Sequence, residues 1–226
     1  MFSFAFMIVS LVLPARATTL HARHPEPGSS DNCPLFGSDL CCVSYDCTRD
    51  SAAEAKNKGD TRTRCADVLF DYLRLTVDFL EQGNFMYFVI YGTALGGERE
   101  RDIISWTGDL DLYVSDEGIR ALLDASLPGI SFKTENYWTN VGVRGCQEAG
   151  NSTQNPSKGI TPWMDIYSWA DIKDEAGEDE KWYQRGQGHV VIRNRNFSAP
   201  SPIAAYLSQW YGPDWATPRA DRAPSR

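Results

Sequence analysis

From Cys65 to Gln82, apolar residues recur three and four positions apart, Leu69, Leu73, Val77 and Leu80 among them, and Gly83-Asn84 follows as a stop. That spacing gathers one apolar stripe on a helix. Next, Phe85 to Tyr91 (FMYFVIY) is short, aromatic and β-branched and ends at Gly92, which predicts a buried strand, and Leu110 to Val114 predicts another. Ser115-Asp116-Glu117 supplies an N-cap and an acidic first turn for a short helix through IRALLDAS, which Pro128-Gly129 breaks. Strand material is predicted within Phe132 to Val143, at Trp163 to Trp169 and at His189 to Arg193, with a last helix over Ile203 to Tyr211. Residues 147–161 (QEAGNSTQNPSKGIT) lack periodicity and predict a mobile loop, whereas the acidic run DIKDEAGEDEK reads as a solvated turn. Helices mixed irregularly with short strands predict an α/β (α+β) domain with a mixed central sheet flanked by helices.

The chain opens on an apolar run, Phe2 to Leu13, followed by Ala15-Arg16-Ala17, the small-x-small pattern of a signal peptide over residues 1–17. A retained N-terminal anchor is the alternative. The run is shorter than the roughly 20 residues a membrane span needs, so no transmembrane span is expected after cleavage. Residues 18–60 read as a loose polar arm and a cysteine-rich segment, 61–218 as the folded domain and 219–226 as a disordered tail. Cys33, Cys41, Cys42, Cys47, Cys65 and Cys146 are an even set behind a signal, which predicts disulfides stapling the N-terminal segment. Zinc is the competing reading of the cluster, but no C-x-x-C pair and no nearby histidine supports it. Asn151 and Asn196 head glycosylation sequons. These features together place the protein in the secretory pathway, in the Golgi or ER lumen or secreted.

Composition narrows the field. Apolar residues make up 42% of the 226, enough to bury a core. With 30 acidic against 22 basic residues the formal charge is -8, which repels a nucleic-acid backbone and argues against such a partner.

The chemistry concentrates in residues 91–115, YGTALGGERERDIISWTGDLDLYVS. A strand ends in Gly92-Thr93, a loop is expected, and Asp109-Leu110-Asp111-Leu112 begins the next strand. Residues two apart on a strand share a face, so both carboxylates can reach one divalent cation while Leu110 and Leu112 face the core. An edge strand with an acidic outer face is the plainer alternative. Gly92-Thr93 offers an amide, a hydroxyl and little bulk, which suits a phosphate. A third acid flanked by apolar residues, Asp165 in Trp163-Met164-Asp165-Ile166, sits on another predicted strand, where an ion pair with a lysine is the alternative. Three such carboxylates can hold one or two Mg²⁺ or Mn²⁺ ions against donor phosphates. Arg101, Arg144 and Lys158 read as surface groups, and the phosphate-loop pattern G-x-x-x-x-G-K-[ST] is absent.

These residues resemble the LicD/fukutin-related phosphotransferases of the nucleotidyltransferase superfamily. That family's signature runs approximately Y-G-T-L-L-G-x-x-R, then I-P-W-D-x-D-I-D. Here Tyr91 to Gly96, Arg99, Ile104-Ser105-Trp106 and Asp109-Leu110-Asp111 follow it without a gap. Trp163-Met164-Asp165-Ile166 is similar to the later hydrophobic-Asp-hydrophobic element, and Tyr206-Leu207, Tyr211-Gly212, Asp214-Trp215 and Pro218 to the family's ending. The resemblance covers residues 65 to 218 and leaves 18–60 unmatched. It implies a nucleotidyltransferase-like fold and transfer of phosphocholine or a polyol phosphate from a nucleotide diphosphate donor, CDP-type, to a glycan or glycoprotein hydroxyl. It further implies that Asp109 and Asp111 bind the metal, that Asp165 completes the shell or takes the acceptor's proton, and that Arg99 balances phosphate charge. The family pattern carries an acid directly after the tryptophan; this chain has Thr107, whose hydroxyl supplies no charge. A non-catalytic carbohydrate-binding or effector protein on the same fold is therefore the rival reading.

Overall fold

A computed structural model describes residues 64–136, 141–146, 162–168 and 180–218. In chain order it contains α1 (Arg64–Gln82), β1 (Tyr87–Val89), α2 (Tyr91–Arg99), β2 (Asp109–Val114), α3 (Asp116–Asp124), β3 (Ser131–Asn136), β4 (Val141–Cys146) and β5 (Trp163–Tyr167). A 3₁₀ turn at Glu180–Trp182, β6 (His189–Ile192), β7 (Arg195–Ser198) and α4 (Ile203–Tyr211) complete it.

Five strands form one mixed sheet in the order β1-β2-β5-β4-β3. Only β2 and β5 run parallel; β1 with β2, β3 with β4 and β4 with β5 are antiparallel. The β2–β5 register sets Leu110 beside Met164, Leu112 beside Ile166 and Asp111 beside Asp165. Because alternate residues point to opposite faces, Leu110, Leu112, Met164 and Ile166, all fully buried, make one apolar surface. The acids share the other. The stripe on α1 was legible: Leu69, Leu73, Val77 and Leu80 are fully buried, and each stabilises the fold by roughly 1.5–3 kcal/mol relative to exposure. α1 packs against β2 and β5, and the buried apolar residues form one cluster from Ala66 to Leu207.

Two elements differ from the sequence expectation. The strand expected over Phe85 to Tyr91 is only Tyr87–Val89, and the stretch from Tyr91 to Arg99 is a helix, not a loop. Three glycines and a threonine in nine residues are poor helix formers. Contact explains them. A Cβ on Gly97 would lie 2.6 Å from the Val190 side chain and one on Gly96 2.7 Å from the Asp102 carbonyl, so α2 can approach β6 and its own exit loop only without side chains there. The other difference is β7, paired with β6 through Arg193 and Asn194, both at positive φ, as a two-residue hairpin turn requires. By contrast, the helix after Ser115 starts as expected, with the Ser115 hydroxyl accepting from the Gly118 N–H.

Cys65 and Cys146 are buried and disulfide-bonded. The expected signal, the staple around Cys33, Cys41, Cys42 and Cys47, the loop with Asn151 and the tail lie outside the described residues. Asn196 lies exposed on β7. Among the described residues no helix is long and apolar enough to cross a membrane.

Candidate active site

The acidic face of the sheet is built at the start of β2, where the chain enters from α2. Tyr91, the first residue of α2, has φ +42°, a conformation that costs a bulky residue about 1–2 kcal/mol. Its amide donates to the Tyr206 hydroxyl at 3.2 Å, and its ring meets Trp210 and Tyr167 edge-on at 4.7 and 6.0 Å. The turn aims the next amide: Gly92 N–H donates to the Asp111 carboxylate. A Cβ on Gly92 would stand 3.6 Å from that carboxylate. Thr93, buried, accepts from the Asp111 backbone N–H at 2.8 Å. So Gly92 and Thr93, expected to hold phosphate, hold Asp111 at both its side chain and its backbone.

Asp109 is half-buried, and its Oδ1 accepts from the Thr107 hydroxyl at 2.6 Å. Where the family signature has an acid, this chain therefore has a donor that satisfies the neighbouring acid. Asp165 is buried. Its Oδ1 accepts from Arg144 Nε and Nη2 at 3.0 and 2.9 Å, and its Oδ2 from Trp163 Nε1 at 2.9 Å. Arg144, read from sequence as a surface group, is a correction: its side chain is 13% exposed and lies 5.2 Å over the Trp163 ring. An arginine on a strand, one register step from an acid flanked by apolar residues, was the signal that could have found it.

Electrostatics mark the same spot. Burial first, then the charges of Asp109 and Asp165, hold the Asp111 carboxyl well above the usual carboxylate range, against the pull of the Gly92 amide. Burial likewise raises the Tyr211 phenol, with Asp111 and Asp109 adding to it and Arg99 opposing. Tyr211, named above for its match to the family's ending, shares the field of both acids.

Beside the acids opens a cleft of about 180 Å³ lined by Gly92, Arg99, Trp106, Thr107, Tyr211 and Trp215, among others. Arg99 is there as expected, but its guanidinium is paired with Glu100, through Nε at 3.2 Å and Nη2 at 2.5 Å. Trp106, 44% exposed, is the one large apolar side chain exposed among the described residues, and it stands at this cleft.

No protein-family model and no curated protein matches the chain. Solved structures do. One is ANT(2")-Ia in complex with adenylyl-2"-tobramycin, at 15% identity and TM-score 0.37, covering 62% of this chain and 72% of that one. Another is an antigenic nucleotidyltransferase-like protein from Paracoccidioides brasiliensis, at 15% identity and TM-score 0.39, covering 64% of this chain and 65% of that one. Likeness at this level does not decide the reaction, which rests on the residues.

The donor set can be tested against a divalent cation. Among the described residues no group of three or more His, Cys, Asp or Glu side chains is placed to hold a metal ion. Asp165, expected to complete the metal shell, has a partner on each oxygen. Asp109 and Asp111 do fit a cation: both are half-buried oxygen donors on one strand face, and Asp111 stands beside like charge that a cation would offset.

Proposed function

We propose that the protein is a metal-dependent phosphoryl-transfer enzyme, with Asp109 and Asp111 as the ligands of Mg²⁺ or Mn²⁺. In its narrower form it moves a phosphorylated alcohol, such as phosphocholine or a polyol phosphate, from a CDP-type nucleotide diphosphate donor to a glycan hydroxyl in the secretory pathway. The observation that carries this reading is the placement of Asp111, a half-buried, desolvated carboxylate beside Asp109 and Asp165 at the edge of an aromatic cleft. A protein does not crowd carboxylates in a desolvated place for stability.

When bound, the cation neutralises phosphate charge. The chain does the rest. Thr93 and Gly92 fix Asp111 from the backbone and side-chain sides, which preorganises the ligand pair at no cost during reaction. Trp106, Tyr211 and Trp215 give the cleft aromatic walls on which a nucleobase or sugar can stack. Arg99 supplies positive charge at the cleft, exchanging Glu100 for a donor phosphate. Asp165, paired with Arg144, stands beside Asp111 across the sheet.

A second reading has its own support. Thr107 occupies an oxygen of Asp109 and Arg144 one of Asp165, as a binding protein that has lost turnover would arrange them. One experiment separates the two. Calorimetric titration of CDP-linked and other nucleotide donors with and without Mn²⁺, followed by donor hydrolysis or transfer assays, should show Mn²⁺-dependent binding and turnover. Binding without turnover favours the second reading, and no Mn²⁺-dependent binding refutes the enzyme and leaves the non-catalytic carbohydrate-binding or effector protein.

A further inference from the structure

We propose that Arg144 takes the place of a second cation, so that the acidic face binds one divalent ion, on Asp109 and Asp111, with Asp165 as an anchored counter-charge outside the coordination sphere. The inference rests on the metal-binding reading above and adds its stoichiometry.

Register carries the first part. Arg144 stands opposite Asp165 across β4 and β5, and Asp165 opposite Asp111 across β5 and β2. Residues at register positions of neighbouring strands share a face, so Arg144, Asp165 and Asp111 make a row across three strands. Asp165 stands in the middle of that row, so the cation it meets comes from the β4 side. The guanidinium meets Asp165 Oδ1 with two nitrogens, at 3.0 and 2.9 Å, while Trp163 Nε1 takes Oδ2 at 2.9 Å. Both members of the pair are largely out of solvent, 13% and 10% exposed. The Trp163 ring also lies against the guanidinium, its centroid 5.2 Å from Cζ, a contact that favours a cation in that place.

Chemistry carries the second part. Arginine stays charged at any pH the fold survives, so this cation does not dissociate or titrate away. It cancels one of the three carboxylate charges and leaves what a single divalent ion balances. A second ion would need a further oxygen ligand, and Asp165 has a donor on each oxygen.

The test is Mn²⁺ stoichiometry on the full chain, read from the electron paramagnetic resonance signal of free aquo-Mn²⁺ without any substrate. The parent should bind one ion. Arg144→Gln, which frees the Asp165 charge, should bind two, while Arg144→Lys, which keeps the charge, should bind one. Because removing one partner of a buried pair can unfold the chain, the double variant Arg144→Gln/Asp165→Asn removes both charges together, and it should bind one ion within about threefold of the parent's affinity, less than the tenfold that 1.4 kcal/mol represents. Two ions on the parent, one on a folded Arg144→Gln, or a tenfold or larger loss in the double variant overturns the proposal. No ion on the parent overturns the metal-binding reading itself, a different failure from any of these.

Discussion

Two buried threonines should respond to the same substitution with opposite signs. Thr93 Oγ1 accepts from the Asp111 N–H at 2.8 Å, and the residue is 5% exposed. Thr93→Val keeps shape and volume, so no cavity contributes, but it leaves the Asp111 amide without its acceptor. The loss is that of one buried donor, about 1–3 kcal/mol. Thr76, on the buried face of α1, is 0% exposed, and its Oγ1 has no hydrogen-bond partner. Thr76→Val removes a polar atom that burial already penalises, and should stabilise by about 1 kcal/mol. Thermal denaturation in EDTA reads both, with a shift of about 2–4 °C per kcal/mol for a domain of this size. Thr93→Val should also weaken Mn²⁺ binding, because Asp111 is then no longer fixed, whereas Thr93→Ser restores the acceptor and the affinity. Unchanged stability with a loss of nucleotide affinity alone would refute this account and return Thr93 to the phosphate-binding role expected from its sequence.

Other expectations follow from single contacts. Thr107→Asp replaces the donor to Asp109 with a carboxylate, so the variant should melt lower in EDTA than the parent and bind Mn²⁺ more tightly in titration calorimetry, like charges being repulsive only until a cation separates them. Tyr87 donates to Glu81 at 2.8 Å, and burial, with Glu81 adding to it, raises the phenol to about 12 in the folded chain. Neutral in both states below pH 10, it ionises first in the unfolded chain. Tyr87 should therefore contribute a fall in stability of about 2–3 kcal/mol between pH 10 and 12, and Tyr87→Phe should lessen the slope by that amount in denaturant titrations, the part due to Tyr211 remaining. Gly97→Ala should cost about 1–3 kcal/mol, because its Cβ would meet Val190 at 2.6 Å, and circular dichroism melts would read it.

The parts legible in the sequence were those in which local pattern and tertiary role agree. The stripe of α1, the Ser115 cap and the Asp-Leu-Asp-Leu alternation of β2 each follow from a period or a cap that needs no partner. Helix α2 was hidden because its glycines serve packing against β6 and the Asp102 loop, and nothing within residues 91–99 names those surfaces. Strand β7 was hidden because Phe197 alone of Arg195 to Ser198 is buried, too few positions to show alternation. Of the site, Asp109, Asp111, Asp165, Gly92, Thr93 and Arg99 were singled out. Arg144 was missed because its meaning lies in the β4–β5 register, and Thr93 was assigned to a ligand because its acceptor role depends on the unseen helix.

The parallel pairing of β2 with β5 has a consequence for how the protein reaches its native state. Asp111 and Asp165 become neighbours only when two strands more than fifty positions apart have aligned, with α3, β3 and β4 lying between them in the chain. Non-local pairing of this kind closes late and slowly, so the acidic row does not exist in partly folded chains. A divalent ion that binds it can select only finished molecules, and at a hundred times its dissociation constant it would hold them against unfolding by about 2.7 kcal/mol. In a compartment where the ion's concentration changes, the share of chains that survive, and not only their activity, would follow it.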